Sequence, residues 1–168
     1  MNETADAKIE LELDDGRVNL ACFLLSGNVY AIEVAHLREV VHCQTVTPLP
    51  KAPALIEGVI DLRGAVVPVV DLGRVLGGEP VKQDERARIA VVQIDGLVLG
   101  MRVEAATHVA SVESGRLEEP PALATHSGYD AVRALLRQPD GAPILVLSMD
   151  HVLEAVYRSA LPSGENGS

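Results

Sequence analysis

Two parts of this chain can be laid over one another in the same order, and that repetition restricts the fold more than any single motif. FLLSGNVYAIEVAHLREV matches VVQIDGLVLGMRVEAATHV so that Gly27 meets Gly96, Val34 meets Val103 and Val40 meets Val109. Further along, VVPVVDLGRVL matches PILVLSMDHVL, with Val69 against Val146 and Leu76 against Leu153. Each half reads hairpin, short helix, loop, hairpin, helix. A chain of 168 residues has room for one domain or for two small subdomains sharing a core. The ordered repeat predicts the second arrangement, a mostly β chain built as two similar small barrels.

The hairpins follow from local chemistry. VNLACFLL, Val18 to Leu25, is a nearly continuous apolar run that suits a strand buried on both faces. Ser26-Gly27-Asn28 turns the chain, and VYAIEV returns. AHLREVV then places Leu37, Val40 and Val41 at helical spacings before a further strand. Three prolines make Thr47 to Pro53 irregular. In the second half, ARIAVVQI and LVLGMRV flank Asp95-Gly96, the strongest short hairpin signal. SGRLEEPPALATHSG is a loop. YDAVRALLRQ fits either a helix or a strand, and the PDG and PILVLS after it favour a hairpin. MDHVLEAVY closes the order as a helix. The expected boundaries are an acidic leader over residues 1–16, an ordered domain over 17–158 and a flexible tail over 159–168.

The first half ends in EGVIDLRGAVVPVVDLGRVLGG, Glu57 to Gly78, whose Val66 to Leu76 belongs to the repeat. Two β-branched runs meet at Arg63-Gly64, Pro68 suggests an edge or bulge, and Asp71 is placed to cap a short helix that Gly77-Gly78 ends. Arg63 has two readings. It is either a solubilising charge at a hairpin tip or a planar guanidinium offered to a partner's carboxylate or helix. Glu39 is a candidate ion-pair partner for it. Leu37 and Val40 are open in the same way, between packing beneath the hairpin and facing a partner.

Composition excludes several classes of function. A net charge of −10 repels phosphate backbones, and with aromatics at 2% no stacking platform offsets it, so nucleic acid is not an expected partner. Apolar residues make up 48%, yet no run approaches the ~18 residues of a membrane span. The acidic start lacks the pattern of a signal peptide, which points to the cytoplasm. Cys22 and Cys43 stand alone in apolar surroundings and read as free thiols. The five histidines are scattered, without metal-ligand spacing or a nucleophile motif. His36, His42 and Cys43 do not form a site, because adjacent strand residues face opposite ways. No metal, cofactor or catalytic residue is expected, and the chain does not read as an enzyme.

IEGVIDLRGAVVPVVDL, residues 56 to 72, together with YAIEVAHLREVV, TPLPKAP, GLVLGMRVE and PILVLSMDHVLE, resembles the CheW family, the adaptors of bacterial chemotaxis, over Arg17 to Tyr157. That resemblance implies two intertwined five-stranded SH3-like barrels with short helices. It also implies a non-enzymatic scaffold that couples the cytoplasmic tip of methyl-accepting chemoreceptors to the regulatory domain of a CheA-like histidine kinase, at membrane-associated arrays where such adaptors can form rings. By position, the receptor surface would use Arg63, Val66, Ala106 and Val109, and a separate kinase surface Leu37, Glu39, Val40 and Val46. Ala106 stands where the family has a larger aliphatic residue, Arg102 where it is usually apolar, and YDAVRALLRQ lacks the family's glycine-containing start. The alternative is a CheW-like paralogue serving another pathway, such as surface motility, through a different partner.

Overall fold

The computed structural model describes residues 16–121 and 131–160. Most of the expected leader and tail, and part of the loop over 114–128, lie outside them. In order come β1 (Arg17–Leu25), β2 (Asn28–Glu33), β3 (Leu37–His42), β4 (Ile56–Leu62), β5 (Ala65–Asp71), α1 (Leu72–Val75), β6 (Arg88–Ile94) and β7 (Leu97–Val103). Then follow β8 (Ala105–Glu113), β9 (Leu117–Glu118), β10 (Val132–Leu136), β11 (Ile144–Leu147) and α2 (Met149–Arg158). Single 3-10 turns occupy Val34–His36 and Ser114–Arg116.

The strands form two sheets, one ordered β8-β1-β2-β11-β10-β9 and the other β3-β6-β7-β5-β4. Each sheet therefore contains strands from both halves of the chain. The hairpin β1–β2 takes β8 and β10–β11 from the second half, while β6–β7 takes β3 and β4–β5 from the first. This is the intertwining the family resemblance implied. Each sheet also curls until its edges meet. β8 and β9 lie at opposite ends of their sheet order but are joined only by the Ser114–Arg116 turn. In the other sheet Thr47, just beyond β3, exchanges two 2.8 Å backbone hydrogen bonds with Val59 of β4. The first sheet has six strands rather than the expected five, because the 3-10 turn breaks one bent strand into β8 and β9.

Ladder register reproduces the repeat residue by residue. Val40 lies opposite Ala90, as its match Val109 lies opposite Ala21. Val69 runs parallel beside Gly100, as Val146 does beside Ala31. Both inter-half edges carry a bulge at the same place, at Arg38 between Leu37 and Glu39 and at Thr107 between Ala106 and His108. Asp71 and Ser148 occupy equivalent N-caps, accepting from the backbone N–H of Arg74 and His151. The halves differ after their first hairpins, where Val34–His36 forms a 3-10 turn but Glu104 is only a bend.

The apolar runs are continuous because these strands are buried on both faces. Leu20 and Cys22 point into the six-stranded barrel with Ala31 and Val146, while Ala21, Phe23 and Leu25 point the other way. There they meet Ala90, Val92 and Ile94 of β6 in a core shared between the barrels and sealed by Leu72 of α1 and Val152 of α2. Ile89 and Val91 fill the five-stranded barrel with Ile60, Val67 and Val69. Pro68 is neither at a sheet edge nor at a bulge. β5 is flanked on both sides, and Pro68 precedes the first pair of the β7 ladder, Val69 with Gly100, so its missing N–H breaks no bond to β7.

Candidate functional site

Arg63 and Gly64 form the tip of β4–β5 with φ values of 53° and 88°, both in the left-handed region. The other two tight hairpins use Ser26-Gly27 and Asp95-Gly96 at the equivalent positions, all with positive φ. Ser and Asp are short and polar. Arg63 is a long side chain held where residues with a Cβ pay a conformational cost. Asp61 secures the tip by accepting a 2.8 Å hydrogen bond from the Gly64 N–H, the turn role expected for that carboxylate.

From this tip the Arg63 guanidinium reaches Glu39 on β3 in an ion pair. The hydrogen bond from Arg63 to Glu39, reinforced by their opposite charges, pushes the guanidinium further above its usual range. The pair joins the two end strands of the five-stranded sheet, and beneath it lies a cleft lined by Arg38, Leu62, Ala65, Val66, Val67, Val91 and Val98. On the other side of Val66 a second, shallower cleft is lined by Gln44, Thr45, Thr47, Val59, Ile60 and Asp61. Val66 is 68% exposed between them, an apolar side chain left in solvent beside a cation.

The residues proposed from the sequence divide as follows. Arg63 and Val66 come together at the β4–β5 tip. Ala106 and Val109 lie on β8, in the other sheet, where four successive exposed positions run from Ala106 to Val109 and Val109 is 65% exposed. Glu39 and Val40 are on β3, with Val40 38% exposed. Leu37 and Val46 are half-buried and turn inward, Leu37 against the shared core and Val46 against the core of the five-stranded barrel. The packing alternative therefore describes Leu37 better than Val40. The two expected surfaces are not separate, since Arg63 of one touches Glu39 of the other.

Register adds a relation that matching by position had not drawn. Leu37, Glu39 and Val40 on β3 are the repeat equivalents of Ala106, His108 and Val109 on β8. The β8 part of the receptor set and the β3 part of the kinase set are thus one structural position used twice, once on each barrel. Thr107, at the bulge, donates to the Cys22 carbonyl and contacts His108 Nδ1, both at 3.1 Å. Thr107 and Arg38 were not among the sequence candidates, although the alignment of Val40 with Val109 already placed them together.

Arg102, read from sequence as a departure, is buried, with only 6% of its side chain exposed. It donates to Glu57 Oε1 from Nε at 3.2 Å and from Nη2 at 2.9 Å. Burial opposes its charge, but the hydrogen bond and attraction of Glu57, helped by Cys43, outweigh that and hold the guanidinium above its ordinary value. Cys22 is buried in the six-stranded barrel, and burial pushes its thiol up. Among the described residues no three His, Cys, Asp or Glu side chains converge as metal ligands. What the site offers is an exposed cation, flanking apolar side chains and shallow clefts, a combination suited to docking a helix or strand rather than enclosing a substrate.

Comparison with known proteins places this geometry. The CheW-like domain pattern matches residues 19–156. Chemotaxis protein CheW of Rhizobium meliloti is 30% identical over 148 residues, covering 88% of this chain and 95% of that protein. Chemotaxis protein CheW of Thermotoga maritima is 27% identical over 93% of this chain and 96% of its own length. The crystal structure of scaffolding protein TtCheW from Thermoanaerobacter tengcongensis superposes with a TM-score of 0.71 at 28% identity, covering 79% of this chain and 84% of that one.

Proposed function

The chain belongs to the family of CheW-like domains, a chemotaxis adaptor and scaffold by that membership, and we propose that it joins the cytoplasmic tip of a methyl-accepting chemoreceptor to the regulatory domain of a CheA-like histidine kinase. It acts by positioning partners, without catalysis, at membrane-associated receptor arrays. Among the described residues no helix is long and apolar enough to cross a membrane.

The observation that carries this reading is Arg63. A residue kept in an unfavourable backbone region argues for a use of its side chain, because Asn, Asp or Gly would make the same turn more easily. Arg63 and Val66, with Ala106 and Val109, present a cation and apolar anchors to the receptor. Glu39 and Val40 face the kinase, supported from beneath by the inward-turned Leu37 and Val46. The equivalence of β3 and β8 gives each barrel a similar outward strand, which supports ring assembly with the kinase or among copies of the adaptor.

The test is capture by purified partners. The chain is expected to retain both a kinase regulatory domain and a receptor-tip fragment encoded in its own genome. Arg63→Asn keeps the turn and is expected to reduce receptor capture at unchanged thermal stability. A chain that binds neither partner at micromolar concentration refutes the proposal.

A further inference from the structure

We propose that two ion pairs, Arg102–Glu57 and Glu33–Arg133, form a charge code that selects the exchanged assembly of the two barrels. They occupy equivalent places in the repeat. Arg102 follows Gly100 and Met101 on β7 as Glu33 follows Ala31 and Ile32 on β2. Glu57 is the bulged residue between Ile56 and Gly58 on β4, as Arg133 is between Val132 and Ala134 on β10. Both pairs close at 2.9 Å, but their signs are reversed: the hairpin β6–β7 supplies a cation where β1–β2 supplies an anion.

This reversal matters for the alternative in which each half keeps its own hairpin. Each β-rich half contains a hairpin that could serve its own barrel, with β4–β5 docked on β2 and β10–β11 on β7. Residues 43–55, which connect β3 to β4, reach about 40 Å when extended. At the strand junction itself packing discriminates little, since Val69 and Val146 are the same residue and face the similar small residues Gly100 and Ala31; it differs at Gly58, which has no room for a Cβ beside Thr47 and is matched by Ala134. Charge discriminates well. The exchanged assembly joins opposite charges at both places, whereas the unexchanged one would set Glu33 against Glu57 and Arg102 against Arg133. The second collision falls at the buried Arg102 position, where solvent screens least.

Reversing only the half-exposed pair tests this. In E33R/R133E the native contacts stay opposite in sign, while both contacts of the unexchanged assembly also become attractive. After dilution from urea, NMR contacts between backbone protons of Val146 and Ala31 report the exchanged form, and those between Val146 and Gly100 the other. Wild type is expected to give the first alone, and the double variant to raise the ratio of unexchanged to exchanged chains by roughly tenfold. Adding E57R and R102E restores repulsion in the unexchanged form and is expected to restore a single species. R133E alone provides a second reading that does not depend on inverting the buried pair. It repels Glu33 natively and attracts Arg102 in the other form, where Glu33 still faces Glu57, so each form keeps one attraction and one repulsion and its unexchanged fraction should match that of E33R/R133E, with R133Q between it and wild type. If E33R/R133E and R133E both refold to the exchanged species alone, at wild-type yield, the charge code is wrong.

Discussion

Gly58→Ala should open the five-stranded barrel at its seam. A Cβ at this position would lie 2.2 Å from the Thr47 carbonyl oxygen, 2.6 Å from its carbon and 2.8 Å from Val46 Cγ1. Two of these are backbone atoms, so no side-chain rotation relieves the clash, and the segment carrying Val46 and Thr47 must move off β4. Moving it removes the two Thr47–Val59 hydrogen bonds, at a net cost of about 2 kcal/mol together. Partial withdrawal of Val46 from the five-stranded barrel's core adds about 1 kcal/mol, and the reduced freedom of the unfolded chain returns up to ~1 kcal/mol. The expected loss is therefore about 2–3 kcal/mol, read as a lower midpoint in urea unfolding at unchanged slope. Hydrogen exchange at the Thr47 and Val59 amides should accelerate while that of Val91 and Val92 does not. Because Val46 belongs to the proposed kinase side, kinase capture should fall more than receptor capture in the folded fraction. A stability change under ~1 kcal/mol with both amides still protected would refute the reasoning.

The remaining expectations concern charge and burial. Arg63→Asp sets a carboxylate against Glu39 and should weaken both receptor and kinase capture, with E39R/R63D recovering part of the kinase arm; loss confined to the receptor would mean that the ion pair does not link the two surfaces. Arg102→Ala strands Glu57 in a mostly buried position and should cost about 3 kcal/mol in urea unfolding, whereas Arg133→Ala, in the half-exposed equivalent pair, should cost under ~1 kcal/mol; similar costs would contradict the burial argument. A thiol reagent at neutral pH should label Cys43, which is half-buried, and reach Cys22 only on unfolding, because burial both shields that thiol and pushes it up. Fast labelling of both cysteines would show that the six-stranded barrel opens readily.

Much of the fold was legible because local chemistry and register agree. Gly27 and Gly96 mark tight turns, the apolar runs on either side of them are buried on both faces, and Asp71 caps its helix as its position predicts. β8 was the harder element. Its successive exposed residues Ala106, Thr107, His108 and Val109 lack the alternation that identifies a half-buried strand, since the bulge at Thr107 interrupts the pleat. The exchange between halves was not readable from periodicity. Alternation shows which face of β2 or β7 is buried, but Val69 and Val146 carry no mark of which hairpin they join.

The candidate site was legible residue by residue and not as an arrangement. Arg63-Gly64 announces a turn, and an arginine in its first position announces a use, but only the curled sheet brings that side chain from the β4–β5 tip to Glu39 on the opposite end strand. Two surfaces expected to be separate therefore meet in one contact. Their remaining members are related differently: Leu37, Glu39 and Val40 on one barrel occupy the places of Ala106, His108 and Val109 on the other. With one position serving both barrels, specificity has to come from what differs at it. The five-stranded barrel carries an anion held by Arg63, and the six-stranded one a small Ala106 beside His108, so on the proposed assignment a partner would be distinguished by charge at one barrel and by shape at the other.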